Sequence, residues 1–198
     1  MDKSRLAAFS DGVIAILMTI MVFDIKPPQG ADLAAFRTLL PVLLTYSMSF
    51  LYLGIYWNNH HHMLMVTQKV NGGVLWANMH LMFWLSLLPF ATNWLWSSGF
   101  QAFPAAVYGA VLLLSAVAYT LLQSAIIRAD GQCSRLLHAV GSDVKGKVSL
   151  ACYTLGIAVS FRWPEFAVGI YVIVSLMWLI PDPRIEAHLE SPSPCPKE

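Results

Sequence analysis

The sequence predicts an all-α membrane protein with six transmembrane helices per subunit, and two observations lead there. The first is composition: of 198 residues, 57% are hydrophobic and 12% charged, with a mean hydropathy of +0.60. A soluble domain carries about 25% charge, and half that supply cannot cover a water-facing surface. The second is charge spacing. No Asp, Glu, Lys or Arg occurs between Arg37 and Lys69, or between Lys69 and Arg128. A bilayer core about 30 Å thick needs roughly 20 apolar helical residues, so the first interval holds one span and the second holds two.

The first span, near residues 4–25, ends before Pro27-Pro28. A secretory signal peptide is disfavoured because Asp11 interrupts it and no small-residue cleavage site precedes the prolines. The second lies near 36–60 and the third near 71–96. The turn formers Ser97-Ser98-Gly99-Phe100-Gln101-Ala102-Phe103-Pro104 separate the third from the fourth, near 103–127. Around Trp163-Pro164, Arg162 and Glu165 divide the last apolar region into a hairpin of short spans near 146–161 and 165–181; one long tilted or re-entrant segment is the alternative. Residues 1–181 thus form one six-helix domain, and residues 182–198, with Pro183, Pro192, Pro194 and Pro196, form a cytoplasmic tail expected to be disordered.

Six spans put both termini on one side. With the N-terminus inside, Lys3, Arg5, Lys69, Arg128, Arg135, Lys145, Lys147, Arg184 and Lys197 are cytoplasmic, against Lys26, Arg37 and Arg162 outside; the excess satisfies the positive-inside rule. A net charge of +1 provides no footprint for nucleic acid. Cys133, Cys152 and Cys195 lack zinc-ligand or disulfide-framework spacing.

The first span carries the candidate chemistry. Arg5, Ser10 and Asp11 sit in its cytoplasmic third. Ionisable groups there are costly and become functional candidates; alternatively, Ser10 and Asp11 cap a helix that starts at Gly12. Residue types alone weigh these equally. At 100° per residue, Arg5, Phe9, Gly12, Ile16, Thr19, Ile20 and Phe23 fall on one stripe, and Ser10 and Asp11 point away from it. Most such stripes are ordinary packing.

The string Arg5, Phe9, Ser10, Asp11, Gly12, followed by an apolar helix ending in Asp24-Ile25-Lys26-Pro27-Pro28, resembles the transmembrane protein 175 family of endosomal and lysosomal potassium channels, in its prokaryotic branch. Tyr56-Trp57-Asn58-Asn59-His60-His61, Leu75-Trp76-Ala77-Asn78 and Leu87-Leu88-Pro89-Phe90 continue the resemblance. It implies a six-helix subunit whose first helix lines a central cation pore. This chain shows one six-helix set and no internal repeat, so the analogy implies a homotetramer in a prokaryotic cell membrane, passing K+ and other monovalent cations. It also implies that Ile16 forms the narrowest ring, with Thr19, Ile20 and Phe23 at the next levels. Phe23 is bulkier than the aliphatic residue expected there. No TVGYG-like filter is present, so selectivity for potassium over sodium should be modest and come from hydrophobic constrictions.

His60, His61 and His62 share a membrane depth with the first-helix motif in this topology. A network joining Asp11 and Ser10 to a histidine, Trp57 and Asn78 would offset their burial and hold the pore helix; a titratable histidine in it would make opening depend on pH, to be tested with His60→Ala. Three consecutive helical histidines diverge too far to hold one metal ion, so neither metal nor enzymatic chemistry is expected. Asp24 would form a carboxylate ring at a tetramer's outer mouth, or serve as an interfacial residue neutralised by Lys26. Trp94, Trp96, Trp163 and Trp178 read as interfacial anchors. A cation- or proton-coupled secondary transporter is the rival function, but it would need a midplane ionisable site and usually repeats.

Overall fold

The computed structural model describes residues 2–131, 134–140 and 143–179, with backbone alone for 138–140. The expected tail, Cys133, Cys195 and His188 lie outside the described residues, as does the side chain of His138. All elements among the described residues are helical: α1 (Lys3–Ile20) with a 3-10 turn (Met21–Asp24), α2 (Leu33–Arg37), α3 (Leu40–Val66), α4 (Gly72–Ser86), α5 (Leu88–Ser97), α6 (Ala102–Asp130), α7 (Arg135–Val140), α8 (Val144–Ser160) and α9 (Pro164–Leu179). Four stretches are long and apolar enough to cross a membrane: Lys3–Asp24, Leu40–Val66, Gly72–Ser97 and Ala102–Asp130. The helices α8 and α9, with 17 and 16 residues, are shorter and pack on each other as a hairpin, which excludes a single long segment there.

Helix α1 starts at Lys3 because Asp2 caps it, its carboxylate accepting from Ser4 N at 3.0 Å. The alternative start at Gly12 is therefore overturned: Ser10 and Asp11 lie mid-helix and cap nothing. The second span differs from its expected 36–60. A separate α2, capped by Asp32, precedes α3, which begins around Pro41 and runs to Val66. Proline suits a first helical turn because its missing N–H would have no partner there. The histidine run consequently lies inside α3 rather than at its end. The third span breaks at Leu87, since Pro89 has no N–H to continue the backbone ladder; α5 restarts with that proline in its first turn. After α5 the chain turns through Gly99 and Phe100, at φ 68 and 61, and Phe100 N closes the helix end on Leu95 O at 3.1 Å. The left-handed conformation suits Gly99 and strains Phe100.

Helix α6 is central, packed on α4, α5, α8 and α9, whereas α1 lies on one side against α3 and α4. Several polar groups inside the bundle pair with one another, which offsets the cost of their burial. Ser49 Oγ lies 2.7 Å from Thr92 Oγ1 and 3.1 Å from the Tyr108 hydroxyl, and the Tyr52 hydroxyl donates to Tyr171 O. Two contacts tie together the end of the bundle where α1 starts: Lys3 Nζ donates to Met65 O and Thr67 O, both at 3.1 Å. The buried Asp130 carboxylate accepts from Lys69 N at 2.8 Å and from Gln68 N at 3.1 Å.

Candidate functional site: the two faces of helix α1

Helix α1 divides lengthwise. Leu6, Ser10, Ile14, Leu17 and Met21 are buried against the bundle. On the other side, Phe9 is 48% exposed, Ile16 62%, Ile20 49% and Phe23 82%, and Arg5, Gly12 and Thr19 join them on the surface. The exposed face is the stripe read from helical periodicity. An apolar face this continuous, uncovered in the subunit, marks a surface with a further role. Its hydroxyl, Thr19 Oγ1, bonds back to Ala15 O and Ile16 O, both at 3.0 Å, so its hydrogen is engaged and its oxygen faces outward.

The buried face carries a directional polar chain. His60 Nε2 lies 2.7 Å from Asn78 Oδ1, Asn78 Nδ2 donates to Ser10 Oγ at 3.0 Å, and Ser10 Oγ donates to Leu6 O at 3.0 Å. With the hydrogen on Nε2, every donor in this chain finds an acceptor. His60, Asn78 and Ser10 are each fully buried, and such a chain joins α3, α4 and α1 at one point. His60 Nδ1 is buried without a partner among the described residues.

Asp11 belongs to a second cluster. Its Oδ1 accepts from Trp57 Nε1 at 2.9 Å, and the Trp57 ring stacks on His61, centroids 5.8 Å apart. The single network expected from sequence is thus two. Ser10 and Asp11 are about 100° apart on α1, and His60 and His61 are equally displaced on α3, so Ser10 is linked to His60 through Asn78 and Asp11 to His61 through Trp57. His62 leans on His61 with centroids 6.0 Å apart, at the edge of the second cluster. No ion pair joins Asp24 to Lys26, and Asp24 is exposed at the far end of the first span.

No group of three metal-ligating side chains occurs among the described residues. Lys3 and Asp130 were missed in the sequence. The available signal was an acidic residue closing a run with only Arg128 charged, since a carboxylate there needs donors.

Residues 5–89 match the family described as endosomal/lysosomal potassium channel TMEM175. The chain is 53% identical to a potassium channel of Chryseobacterium sp. over 190 residues, 96% of this chain and 99% of that one. It is 24% identical to the human endosomal/lysosomal proton channel TMEM175, covering 90% of this chain and 36% of that one. The fold is similar to the crystal structure of a lysosomal potassium-selective channel TMEM175 homolog from Chamaesiphon minutus. That likeness has a TM-score of 0.78 at 24% identity over 89% of this chain and 96% of that one.

Proposed function

The chain belongs to the endosomal/lysosomal potassium channel family TMEM175, and from that premise we propose a passive potassium channel whose pore runs along helix α1 of a homotetramer. It is a multi-pass membrane protein and a channel, not an enzyme. The supporting observation is the division of α1: one face is sealed into the subunit, and the opposite face, from Phe9 to Phe23, is apolar and uncovered. Four copies turned about a common axis would bury those faces against one another and leave Ile16 as a hydrophobic ring. Such a ring gates by dewetting. Thr19 supplies an outward hydroxyl oxygen one turn further on, and Ile20 and Phe23 set the next levels. Selectivity of this kind is modest, because no carbonyl cage replaces the hydration shell.

In this reading the Ser10–Asn78–His60 chain holds the inner half of the pore helix at a fixed angle, with Asp11, Trp57 and His61 as a second strut. Six spans, with α8 and α9 as the short fifth and sixth, place both termini in the cytoplasm of a prokaryotic cell. Arg5 then lies at the inner entrance and Asp24 at the outer one.

Potassium flux into liposomes holding the purified chain tests the reading, with wild type compared with Ile16→Asn and with sodium and proton gradients as controls. Flux that favours potassium and rises with Ile16→Asn is expected. Absence of flux in both proteins overturns it. Uphill movement coupled to a sodium or proton gradient would replace it with a transporter.

A further inference from the structure

We propose that the Asp11 carboxylate of one subunit accepts a hydrogen bond from the ring N–H of His80 on the next copy, so that each subunit completes a polar site on its neighbour. This bond would join the homotetramer proposed above, on which it rests.

Two polar groups on the surface of the first and third spans are one bond short within the subunit. Asp11 is half-buried; its Oδ1 accepts from Trp57 Nε1 at 2.9 Å, and Oδ2 has no hydrogen-bond partner among the described residues. His80 is exposed on α4, and its Nε2 accepts from Trp84 Nε1 at 2.8 Å. An indole N–H only donates, so the neutral His80 ring carries its hydrogen on Nδ1. That N–H finds no acceptor among the described residues. One group is thus left an acceptor and the other a donor. Both lie in apolar spans, where hydrocarbon satisfies neither and a carboxylate facing lipid is costly.

The two share a depth. Helices α1 and α4 start at the same end of the bundle, Asp11 is eight residues past Lys3, and His80 is eight past Gly72. Each therefore lies about 12 Å along its helix. The bond from Asn78 to Ser10 fixes this register, with Asp11 one residue and His80 two residues beyond the bonded pair.

Their positions around α1 say which copy supplies the partner. Helix α1 lies between α3 and α4. Asp11 turns to the α3 flank, where Trp57 and His61 are exposed, whereas His80 belongs to the exposed face of α4 with Trp76, Met79 and Phe83. A closed ring of identical subunits joins unlike surfaces head to tail, so the α3 flank of each copy faces the α4 flank of the next. There the large apolar side chains beside His80 cover the pair and keep lipid from it. A bond from a ring N–H to an ionised carboxylate is of the stronger kind.

Crosslinking in membranes tests the bond. Full-length chains with Cys133→Ser, Cys152→Ser and Cys195→Ser carry either Asp11→Cys or His80→Cys, each with its own tag. They are expressed singly and together and treated with a short bifunctional thiol reagent. A mixed-tag dimer is expected from co-expression, with no comparable dimer from either chain alone. In the same background, Ile16→Cys should link copies at the pore. Native mass spectrometry in detergent gives a second measurement. Asp11→Ala, His80→Ala and the double variant should weaken the tetramer to the same extent, about tenfold, the loss of one hydrogen bond to a charged group. Links at Ile16 without the mixed dimer would overturn the bond and leave the pore reading standing. No link at either place would overturn both. Equal dimer from the single expressions, or additive losses in the double variant, would also overturn the bond.

Discussion

His60 Nε2 and Asn78 Oδ1 meet at 2.7 Å inside the bundle, and through Asn78 this contact reaches Ser10 on α1. Truncating Asn78 would orphan the His60 ring N–H and remove the donor to Ser10 Oγ, which keeps only its own bond to Leu6 O, all without access to water. Asn78→Ala should therefore cost about 1–3 kcal/mol, measured as thermal unfolding in detergent. Trp57→Phe removes only the more exposed bond to Asp11 and should cost under about 1 kcal/mol. Equal losses would mean that the buried chain contributes no more than the exposed one.

His60 also offers a pH test. A proton added at Nδ1 meets no acceptor among the described residues, so the charged ring disturbs the contact that holds α1. Potassium flux should differ between acid and neutral pH in wild type, and that difference should vanish in His60→Ala. A response that survives in the variant would assign it to another group.

How much of this was legible in the sequence differs from residue to residue. The α1 stripe was legible, because Phe9, Ile16, Ile20 and Phe23 recur at helical spacing and periodicity needs no knowledge of neighbours. The sequence reading placed Ser10 and Asp11 together in one network, and neither their separation nor their partners could be read from it: which histidine faces Asn78 depends on the rotation of α3, and His60 to His62 sample almost every direction. The break at Leu87 was written in Pro89 and was passed over because the surrounding run is uniformly apolar. Lys3 reaching the end of α3 and Asp130 reaching the turn after it are contacts across more than sixty positions in the chain. Only the packing of α1 and α6 brings them together.

The knot between α6 and the turn after α3 yields its own prediction. Asp130 accepts from two consecutive backbone N–H groups, as a cap does, and it stops the turn between α3 and α4 from fraying. Asp130→Leu should lower stability by about 1.5–3 kcal/mol, the range for hydrogen bonds to a charged group, and should raise amide hydrogen exchange at Gln68 and Lys69. Unchanged exchange there would show that the turn is held by something else.

At the outer end, Asp24 is exposed and unpaired with Lys26, so a fourfold ring of these carboxylates would draw cations to the mouth. Asp24→Asn should lower potassium flux at about 0.01 M salt, where the Debye length is about 30 Å, and leave it nearly unchanged at 1 M, where it is about 3 Å. Equal flux at both salts would remove Asp24 from the permeation path.

The last prediction concerns the packing of α6, α8 and α9, away from α1. Tyr171 on α9 is fully buried and lies across two glycines, Gly109 on α6 and Gly156 on α8. A Cβ at Gly109 would stand 2.0 Å from the Tyr171 hydroxyl and 3.0 Å from Ile157 Cγ1, and one at Gly156 would stand 2.4 Å from the Tyr171 ring. The ring cannot retreat, since its hydroxyl donates to Ala105 O at 3.3 Å and its own carbonyl receives the Tyr52 hydroxyl. Overpacking of this kind costs about 1–3 kcal/mol, so Gly109→Ala and Gly156→Ala should each lower the melting temperature. If Tyr171 is the obstacle, Tyr171→Leu should make Gly156→Ala nearly neutral, a coupling of about 1 kcal/mol or more in a double-mutant cycle. Additive losses would place the cost in the helix backbones, not in the ring between them.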